Sequence, residues 1–197
     1  MTRKRWEDLN PYYAAYVAVT ADILNDRCLR PRGERQVLVT RYSWAVPSDE
    51  AIKVLCQYSP LIEIGAGTGY WASLIASEEY GGDIVAFDKV VPGPDNPYHR
   101  ESHNYYPILL GGSEQVLAHP ERTLFLCWPP YETSFAYDCL SAYEGEYFIY
   151  VGEPRGGCTA DDRFFEKLAA EWEVKEQVDI PQWYGMHDYL TVYHRKL

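Results

Sequence analysis

The stretch from Leu61 to Ala72, which reads LIEIGAGTGYWA, constrains the fold of this chain more than any other. A short apolar run carries the acid Glu63, and three glycines follow at every second position before a segment with helical character. Glycines adopt backbone angles that other residues avoid and let a ligand approach bare backbone. The pattern therefore predicts a strand, a tight ligand-facing turn and a helix start. A dinucleotide fingerprint needs its third glycine one residue later, where Tyr70 stands, and this departure argues against a nicotinamide-dependent oxidoreductase.

A second acid lies one helix and one strand further along. The run from Ile84 to Phe87 is apolar and ends in Asp88. Together, Glu63, the glycine turn and Asp88 resemble motif I and the second-strand acid of the class I S-adenosylmethionine-dependent methyltransferases. The resemblance covers roughly residues 58–195. It implies an α/β, Rossmann-like fold: a seven-stranded, mostly parallel sheet with helices on both faces and its last strand antiparallel.

The same resemblance implies a cofactor, S-adenosylmethionine, and residues that hold it. The turn would place the methionine end of the cofactor, and Asp88 would accept hydrogen bonds from the ribose hydroxyls. Three aromatic residues are candidates to cover the cofactor, namely Tyr42, Trp44 and Tyr70. The residues predicted to bind the cofactor are Glu63, Gly65, Ala66, Gly67, Thr68, Gly69, Tyr70 and Asp88.

The rest of the chain alternates helical and extended patterns after a helical N-terminal part. Asn10-Pro11 predicts a helix start, Gln36 to Thr40 a short extended piece, and Ser48 the cap of a helix that runs to about Gln57. We predict a single domain over 1–197, with a helical cap at 1–57 and a cofactor-binding core at 58–195. After the strand at Leu61, further strands are predicted to end at Asp88 and to span 105–110, 123–127, 147–151, 173–180 and 189–195.

The sequence Trp128-Pro129-Pro130-Tyr131 directly follows the fourth predicted strand. It resembles motif IV of the amino-group methyltransferases, which reads Asn or Asp, Pro, Pro, then an aromatic residue. In those enzymes the first residue accepts a hydrogen bond from the target amine. An indole only donates, so Trp128 departs from the pattern at the chemically decisive position. Adenine or cytosine N-methylation therefore remains an alternative rather than the leading hypothesis.

The carboxyl ends of the later strands are predicted to surround the methyl acceptor, because ligands of such sheets bind beyond those ends. His187 is the preferred general base, since an imidazole titrates near neutral pH, and Glu153 is the second candidate. The residues predicted to contact the acceptor are Trp128, Pro129, Tyr131, Trp183 and Asp188.

Composition narrows the classes of partner. The net charge of −11 argues against tight binding to generic duplex nucleic acid, although basic clusters occur at Arg3 to Arg5 and between Arg27 and Arg35. The five cysteines are scattered, which favours reduced thiols rather than disulfides or a metal site. No secretory signal or membrane span is predicted, so the expected location is the cytoplasm.

These observations predict an S-adenosylmethionine-dependent methyltransferase that acts on an unidentified small-molecule or protein acceptor. Two alternatives stay open: a nucleic-acid amino methyltransferase of the adenine-N6 type, and a non-catalytic module that binds S-adenosylmethionine. The sequence identifies neither the acceptor, nor the methylated atom, nor the oligomeric state.

Overall fold

The computed structural model describes residues 4–25, 32–96, 99 and 103–196, and within them seven strands form one sheet. Arg3, Arg27, Cys28, Arg30 and Pro31 lie outside the described residues. The strands are β1 (Leu61–Ile64), β2 (Ile84–Asp88), β3 (Ile108–Leu110), β4 (Thr123–Cys127), β5 (Tyr147–Gly152), β6 (Trp172–Asp179) and β7 (Tyr189–Arg195). Their order across the sheet is β3-β2-β1-β4-β5-β7-β6.

Eight helices surround this sheet in the described part of the chain. They are α1 (Trp6–Leu9), α2 (Pro11–Asn25), α3 (Arg32–Arg41), α4 (Asp49–Gln57), α5 (Tyr70–Ile75), α6 (Glu114–Ala118), α7 (Phe135–Ala142) and α8 (Asp162–Glu171). The first four precede β1, so the predicted helical N-terminal part is confirmed.

The direction and order of the strands confirm the predicted fold class. β1 pairs in parallel with β2 on one side and with β4 on the other, and β2–β3 and β4–β5 are also parallel. β7 inserts between β5 and β6 and runs antiparallel to both. The chain builds outward from β1 to β3 and then returns to β4, so the order reverses between β1 and β4. In open α/β sheets, ligands bind beyond the carboxyl ends of the strands at such a reversal.

Each face of the sheet carries its own apolar core, because side chains along a strand alternate between the two faces. Leu61 packs on one face with residues of α4 and α5 and with Tyr12 of α2. Ile62 packs on the other face with residues of α6, α7 and α8. All four residues of β1 are buried, as expected for the central strand of a sheet that is covered on both sides.

The N-terminal part is joined to the core by buried polar contacts. Asn10 precedes α2, and its side-chain oxygen accepts a hydrogen bond from the Tyr13 backbone N–H at 2.9 Å, which confirms the predicted cap. The same oxygen accepts the hydroxyl of Tyr70 at 2.8 Å, and the side-chain amide donates to the Pro47 carbonyl at 3.1 Å. Asn10 thereby links α2, the segment before α4 and the start of α5.

Two predicted elements differ from the structure. The segment predicted as extended at Gln36 to Thr40 is wrong, because it belongs to α3. The predicted third strand at Tyr105 to Leu110 is too long: only Ile108–Leu110 pair with β2, whereas Tyr105 donates its N–H to the Thr68 carbonyl at 2.9 Å.

Candidate functional site

A cavity of 530 Å³ opens at the reversal of strand order, beyond the carboxyl ends of β1, β2 and β4. Its size is within the range of small-molecule and cofactor sites. Its walls come from the turn after β1, the loop after β2, the segment after β4, Trp44 of the N-terminal part and Cys158 beyond β5. Two ends can be distinguished by the predictions they carry: a cofactor end around Glu63, the glycine turn and Asp88, and an acceptor end around Trp44, Trp128 and Tyr131.

The turn after β1 lies at the cofactor end and depends on its glycines. Gly67 has a φ of +57°, and a Cβ added there would lie 3.0 Å from Nε2 of His99. Gly65 has a φ of +80°, and a Cβ there would lie 3.0 Å from the Phe135 ring. Positive φ and close neighbours both exclude a side chain at these two positions. The bare backbone of the turn therefore lines the cavity, together with Ala66 and Thr68.

Glu63 brings a buried carboxylate to the same end. The residue is 1% exposed and lines the cavity, and its Oε2 atom has no hydrogen-bond partner within the described residues. Burial, reinforced by the nearby charge of Asp88, raises the pKa of Glu63 to about 8. An unpaired buried carboxyl oxygen costs free energy, which a cationic or hydrogen-bonding ligand group would recover.

Asp88 is the last residue of β2 and also lines the cavity. Its Oδ2 accepts the Gly67 backbone N–H at 2.8 Å, and its Oδ1 accepts the Val90 backbone N–H at 3.1 Å. Each carboxylate oxygen has a further lone pair available for a ligand donor. The carboxylate thus holds the glycine turn and lines the cavity.

The acceptor end is walled by two stacked indoles. The rings of Trp44 and Trp128 lie 5.3 Å apart between centroids with an interplanar angle of 14°. The Arg35 guanidinium lies 5.7 Å from each centroid. Trp128 has a φ of +50°, and its Nε1 donates to Oδ1 of Asp188 at 2.8 Å. The backbone and the hydrogen bond together determine the direction of the Trp128 ring.

The two prolines and Tyr131 complete this wall. Pro129, Pro130 and Tyr131 line the cavity, and the Tyr131 side chain is 55% exposed. The Pro129 carbonyl accepts the Ala160 N–H at 3.1 Å, and the Ala160 carbonyl accepts the Glu132 N–H at 2.9 Å. These contacts tie the segment after β4 to the loop after β5.

The two predicted base candidates do not line the cavity. Glu153 is 4% exposed, and its oxygens accept the backbone N–H groups of Cys158 at 2.6 Å and His187 at 3.1 Å. The His187 side chain is 69% exposed, with its Nδ1 at 3.7 Å from Oε1 of Glu153. Glu153 therefore joins two loops, and His187 points largely to solvent.

Asp188 lies behind the Trp128 ring rather than on the cavity surface. It is 1% exposed, and its Oδ2 has no hydrogen-bond partner in the described chain. Burial raises its pKa to about 7, the bond from Trp128 opposes that rise, and the neighbouring Glu153 adds to it. Asp188 is therefore linked to the acceptor end of the cavity through the Trp128 ring.

Two further predicted site residues, Tyr70 and Trp183, pack against the N-terminal part. The Tyr70 hydroxyl bonds to Asn10 and accepts the Tyr12 N–H at 3.2 Å, and the Trp183 Nε1 donates to the Tyr12 hydroxyl at 3.2 Å. Neither side chain lines the cavity, and neither does Gly69, whose neighbour is Tyr106. Among the aromatic residues predicted to cover the cofactor, Trp44 lines the cavity, while Tyr42 and Tyr70 pack against each other and do not line it.

His99 is a cavity residue that the sequence analysis did not single out. It is 4% exposed, it lines the cofactor end, and its Nδ1 lies 3.0 Å from the Thr40 carbonyl of α3. Its partner is far away in the sequence, so no local pattern marks it. The one available signal was the length of the loop after β2, because long loops in compact domains often carry function.

Membrane-spanning helices, metal-binding clusters and disulfides are not found in the described residues. None of their helices has the length and apolar character that a bilayer crossing requires. Their His, Cys, Asp and Glu residues form no group that could hold a metal ion. Their four cysteines, Cys56, Cys127, Cys139 and Cys158, are free thiols.

No protein-family model and no curated protein sequence matches this chain. Among solved structures, an rRNA methylase from Streptococcus thermophilus is 12% identical, with 85% of this chain and 97% of that chain covered and a TM-score of 0.42. The 1,6-didemethyltoxoflavin-N1-methyltransferase of Burkholderia thailandensis, solved with 1,6-didemethyltoxoflavin and S-adenosylhomocysteine, is 13% identical, with 94% and 89% covered and a TM-score of 0.47. The pyocyanin biosynthetic protein PhzM is 12% identical, with 94% and 70% covered and a TM-score of 0.44. The fold class rests on the sheet order and strand directions, not on these likenesses.

Proposed function

We propose that this protein is an S-adenosylmethionine-dependent methyltransferase whose acceptor is a small molecule or a protein. The observation that carries the proposal is the unpaired, buried Oε2 of Glu63 in a cavity that also presents Asp88, at the reversal of strand order. A ligand with a cationic group and a pair of hydroxyls fits these two acids. S-adenosylmethionine carries an ammonium group and a ribose, and when bound it supplies an electrophilic methyl on its sulfonium.

The residues of the chain have distinct roles in this proposal. Glu63 would pair with the ammonium group, and Asp88 would accept hydrogen bonds from the ribose hydroxyls. Gly65 and Gly67 would let the ligand touch the backbone of the turn. The indoles of Trp44 and Trp128 would exclude water and present a flat apolar surface to the acceptor. Methyl transfer would then depend mainly on the alignment of donor and acceptor.

The acceptor end also bears on the choice between a general base and alignment alone. Neither candidate base lines the cavity: the His187 ring is largely exposed to solvent, and Glu153 is buried between two loops whose backbone N–H groups it accepts. We therefore propose an acceptor atom that already has a free lone pair at neutral pH. Trp128 offers no acceptor for an amine, and the charge of −11 opposes a polyanionic substrate, so a nucleic-acid amino methyltransferase is the weaker candidate.

The cytoplasmic location, the single domain over 1–197, and its division into a cap at 1–57 and a core at 58–195 remain parts of this proposal. They are compatible with the free thiols of the described cysteines and with the contacts of Asn10 between the two parts.

Calorimetric titration with S-adenosylhomocysteine tests the cofactor assignment. Asp88→Ala should weaken binding about ten- to a hundredfold, because a charge-assisted hydrogen bond contributes about 1.5–3 kcal/mol. Asp179→Ala is the matched control, since Asp179 also ends a strand but is exposed and does not line the cavity. A folded Asp88→Ala variant with wild-type affinity would contradict the ribose assignment.

A labelled-methyl transfer assay on fractionated cell extract tests the reaction. Wild type should label a fraction that survives nuclease treatment, and Asp88→Ala should label it much more weakly. Labelling that nuclease removes would favour the nucleic-acid alternative. Tight cofactor binding without labelling of any fraction would favour the non-catalytic module.

A further inference from the structure

We infer that His99 belongs to the nucleoside site, where its Nε2 accepts a hydrogen bond from a ribose hydroxyl beside Asp88. The inference rests on the proposed function for the identity of the ligand. It adds a binding residue from the loop after β2, which the glycine and acid motifs do not contain.

The loop after β2 holds His99 through its own hydrogen bonds. The Asn96 side-chain oxygen accepts the His99 N–H at 2.9 Å, and its amide donates to the Val90 carbonyl at 2.8 Å. The Gly93 N–H donates to the His99 carbonyl at 3.0 Å. The loop therefore closes back on the residues that directly follow Asp88, which brings His99 to the cofactor end of the cavity.

The tautomer of His99 follows from its contact with α3. Its Nδ1 lies 3.0 Å from the Thr40 carbonyl, and a carbonyl oxygen only accepts, so Nδ1 carries the proton. Burial lowers the pKa of His99, with the Thr40 bond and the charge of Asp88 opposing, which keeps the ring neutral at physiological pH. In a neutral ring with Nδ1 protonated, Nε2 is an acceptor.

This acceptor faces the turn that Asp88 also holds. Nε2 lies 3.0 Å from the position that a Cβ on Gly67 would take, and the Gly67 N–H donates to Oδ2 of Asp88. In the part of the chain that the structure describes, Nε2 has no hydrogen-bond partner. A ribose presents two hydroxyl donors, and both Asp88 oxygens already accept a backbone N–H. His99 supplies a further acceptor at this point.

Two substitutions separate a ligand contact from a structural link to α3. His99→Asn places an amide near Nδ1, so it keeps a donor for Thr40 but removes the acceptor at Nε2. His99→Gln places its amide near Nε2, so it keeps an acceptor there but loses the link to Thr40. His119→Asn is the matched control, because the His119 Nδ1 also lies near a backbone carbonyl, that of Gln115 at 2.9 Å, outside the cavity.

The probes are adenosine, 2′-deoxyadenosine and 3′-deoxyadenosine, titrated by calorimetry, with S-adenosylhomocysteine as the reference ligand. Wild type should prefer adenosine over both deoxy analogues, because Asp88 accepts from the ribose hydroxyls, and His99 should add about three- to tenfold to one of the two preferences, the range for one hydrogen bond. His99→Asn should lose this added part, whereas His99→Gln should retain some of it and His119→Asn all of it. Preferences in His99→Asn that equal those of wild type would overturn the inference alone. A wild type that binds none of the ligands would overturn the proposed function as well.

A second measurement needs no variant. The ¹⁵N resonance of the His99 Nε2 should move upfield when wild type binds adenosine and should move less with the deoxy analogue that binds more weakly. An Nε2 resonance that is unchanged in the adenosine complex would refute the contact even if the variants at position 99 fail to fold.

Discussion

The cofactor end and the acceptor end of the cavity differ in whether their acids line the cavity. At the cofactor end, Glu63 lines the cavity with an unpaired oxygen and Asp88 keeps lone pairs available to a ligand. At the acceptor end, Glu153 and Asp188 lie off the cavity and bind the protein itself. The acids of the cofactor end leave hydrogen-bond acceptors for a polar, charged ligand. Those of the acceptor end hold loops and the Trp128 ring in place. In the proposed function, the cofactor end would therefore bind its ligand through polar groups and the acceptor end through the shape of its aromatic wall.

The largest effect on ligand affinity is expected from a side chain added to the glycine turn at the cofactor end. Gly67→Val should reduce S-adenosylhomocysteine affinity at least about a hundredfold, because the side chain would meet His99 and occupy the turn at a φ of +57°. Gly81→Val is the control: Gly81 has a φ of +65° but nothing within 4 Å of an added Cβ. If Gly67→Val and Gly81→Val lose affinity to the same extent, backbone strain rather than a lack of space at the turn explains the loss.

The two buried acids, Glu63 and Asp188, should change the free energy of unfolding over different pH ranges. The folded pKa of Glu63, about 8, exceeds its usual 4.5, so the native state binds the proton more tightly than the unfolded state. Its contribution is full below pH 4.5 and declines as the pH rises to about 8, with a slope of up to about 1.4 kcal/mol per pH unit. Urea unfolding across this range should show that Glu63→Gln flattens the decline up to pH 8.

Asp188→Asn is the matched variant for that comparison. Because the pKa of Asp188 is about 7 against a usual 3.8, its part of the decline ends about one pH unit lower. Glu63→Gln should therefore be the variant that remains flat between pH 7 and 8. An identical profile for wild type and both variants would show that neither acid is protonated on folding.

The sequence can predict that Glu63, the glycine turn and Asp88 lie close together, because this information is local. A strand, three glycines and Glu63 lie within a few residues of one another, and Asp88 follows one βα unit later. Backbone preferences and the parallel βαβ connection then bring Asp88 to the glycine turn with few alternatives. The sequence does not mark His99 as a site residue, because the contact of its ring is with Thr40 of α3, which is remote in sequence.

At the acceptor end, the sequence cannot decide which of the predicted side chains line the cavity, because their contacts depend on tertiary packing. Asp188 and Trp183 fall in one loop, but Asp188 holds Trp128 whereas Trp183 packs on Tyr12. The extended reading of Gln36 to Thr40 failed for a related reason. Its branched residues favour a strand in isolation, yet in α3 Val39 is fully buried while Val37 is 65% exposed, so packing on one helical face decides the structure.

A smaller effect is expected at the hydrogen bond that orients the acceptor wall. Asp188→Ala leaves the Trp128 Nε1 without its partner and should cost about 1–3 kcal/mol of unfolding free energy at pH 6. Asp188→Asn keeps a carbonyl acceptor and should cost less. Both variants should bind S-adenosylhomocysteine within about twofold of wild type, since Asp188 lies off the cavity. A large loss of affinity would show that the two ends are coupled through the Trp128 ring.

The smallest effect is expected at His187. Its backbone N–H, not its ring, donates the 3.1 Å hydrogen bond to Glu153, and alanine keeps that N–H. The ring is largely exposed and does not line the cavity, so its removal takes away neither packing nor a group near the acceptor. With the acceptor found by the transfer assay, His187→Ala should keep kcat within about twofold of wild type from pH 6 to 9. A general base contributes about 10²–10⁴-fold, so its loss would be unmistakable against that expectation. A fall of that size, with the acidic limb of the pH profile displaced and cofactor affinity intact, would restore His187 as the base and require the β6–β7 loop to move over the acceptor.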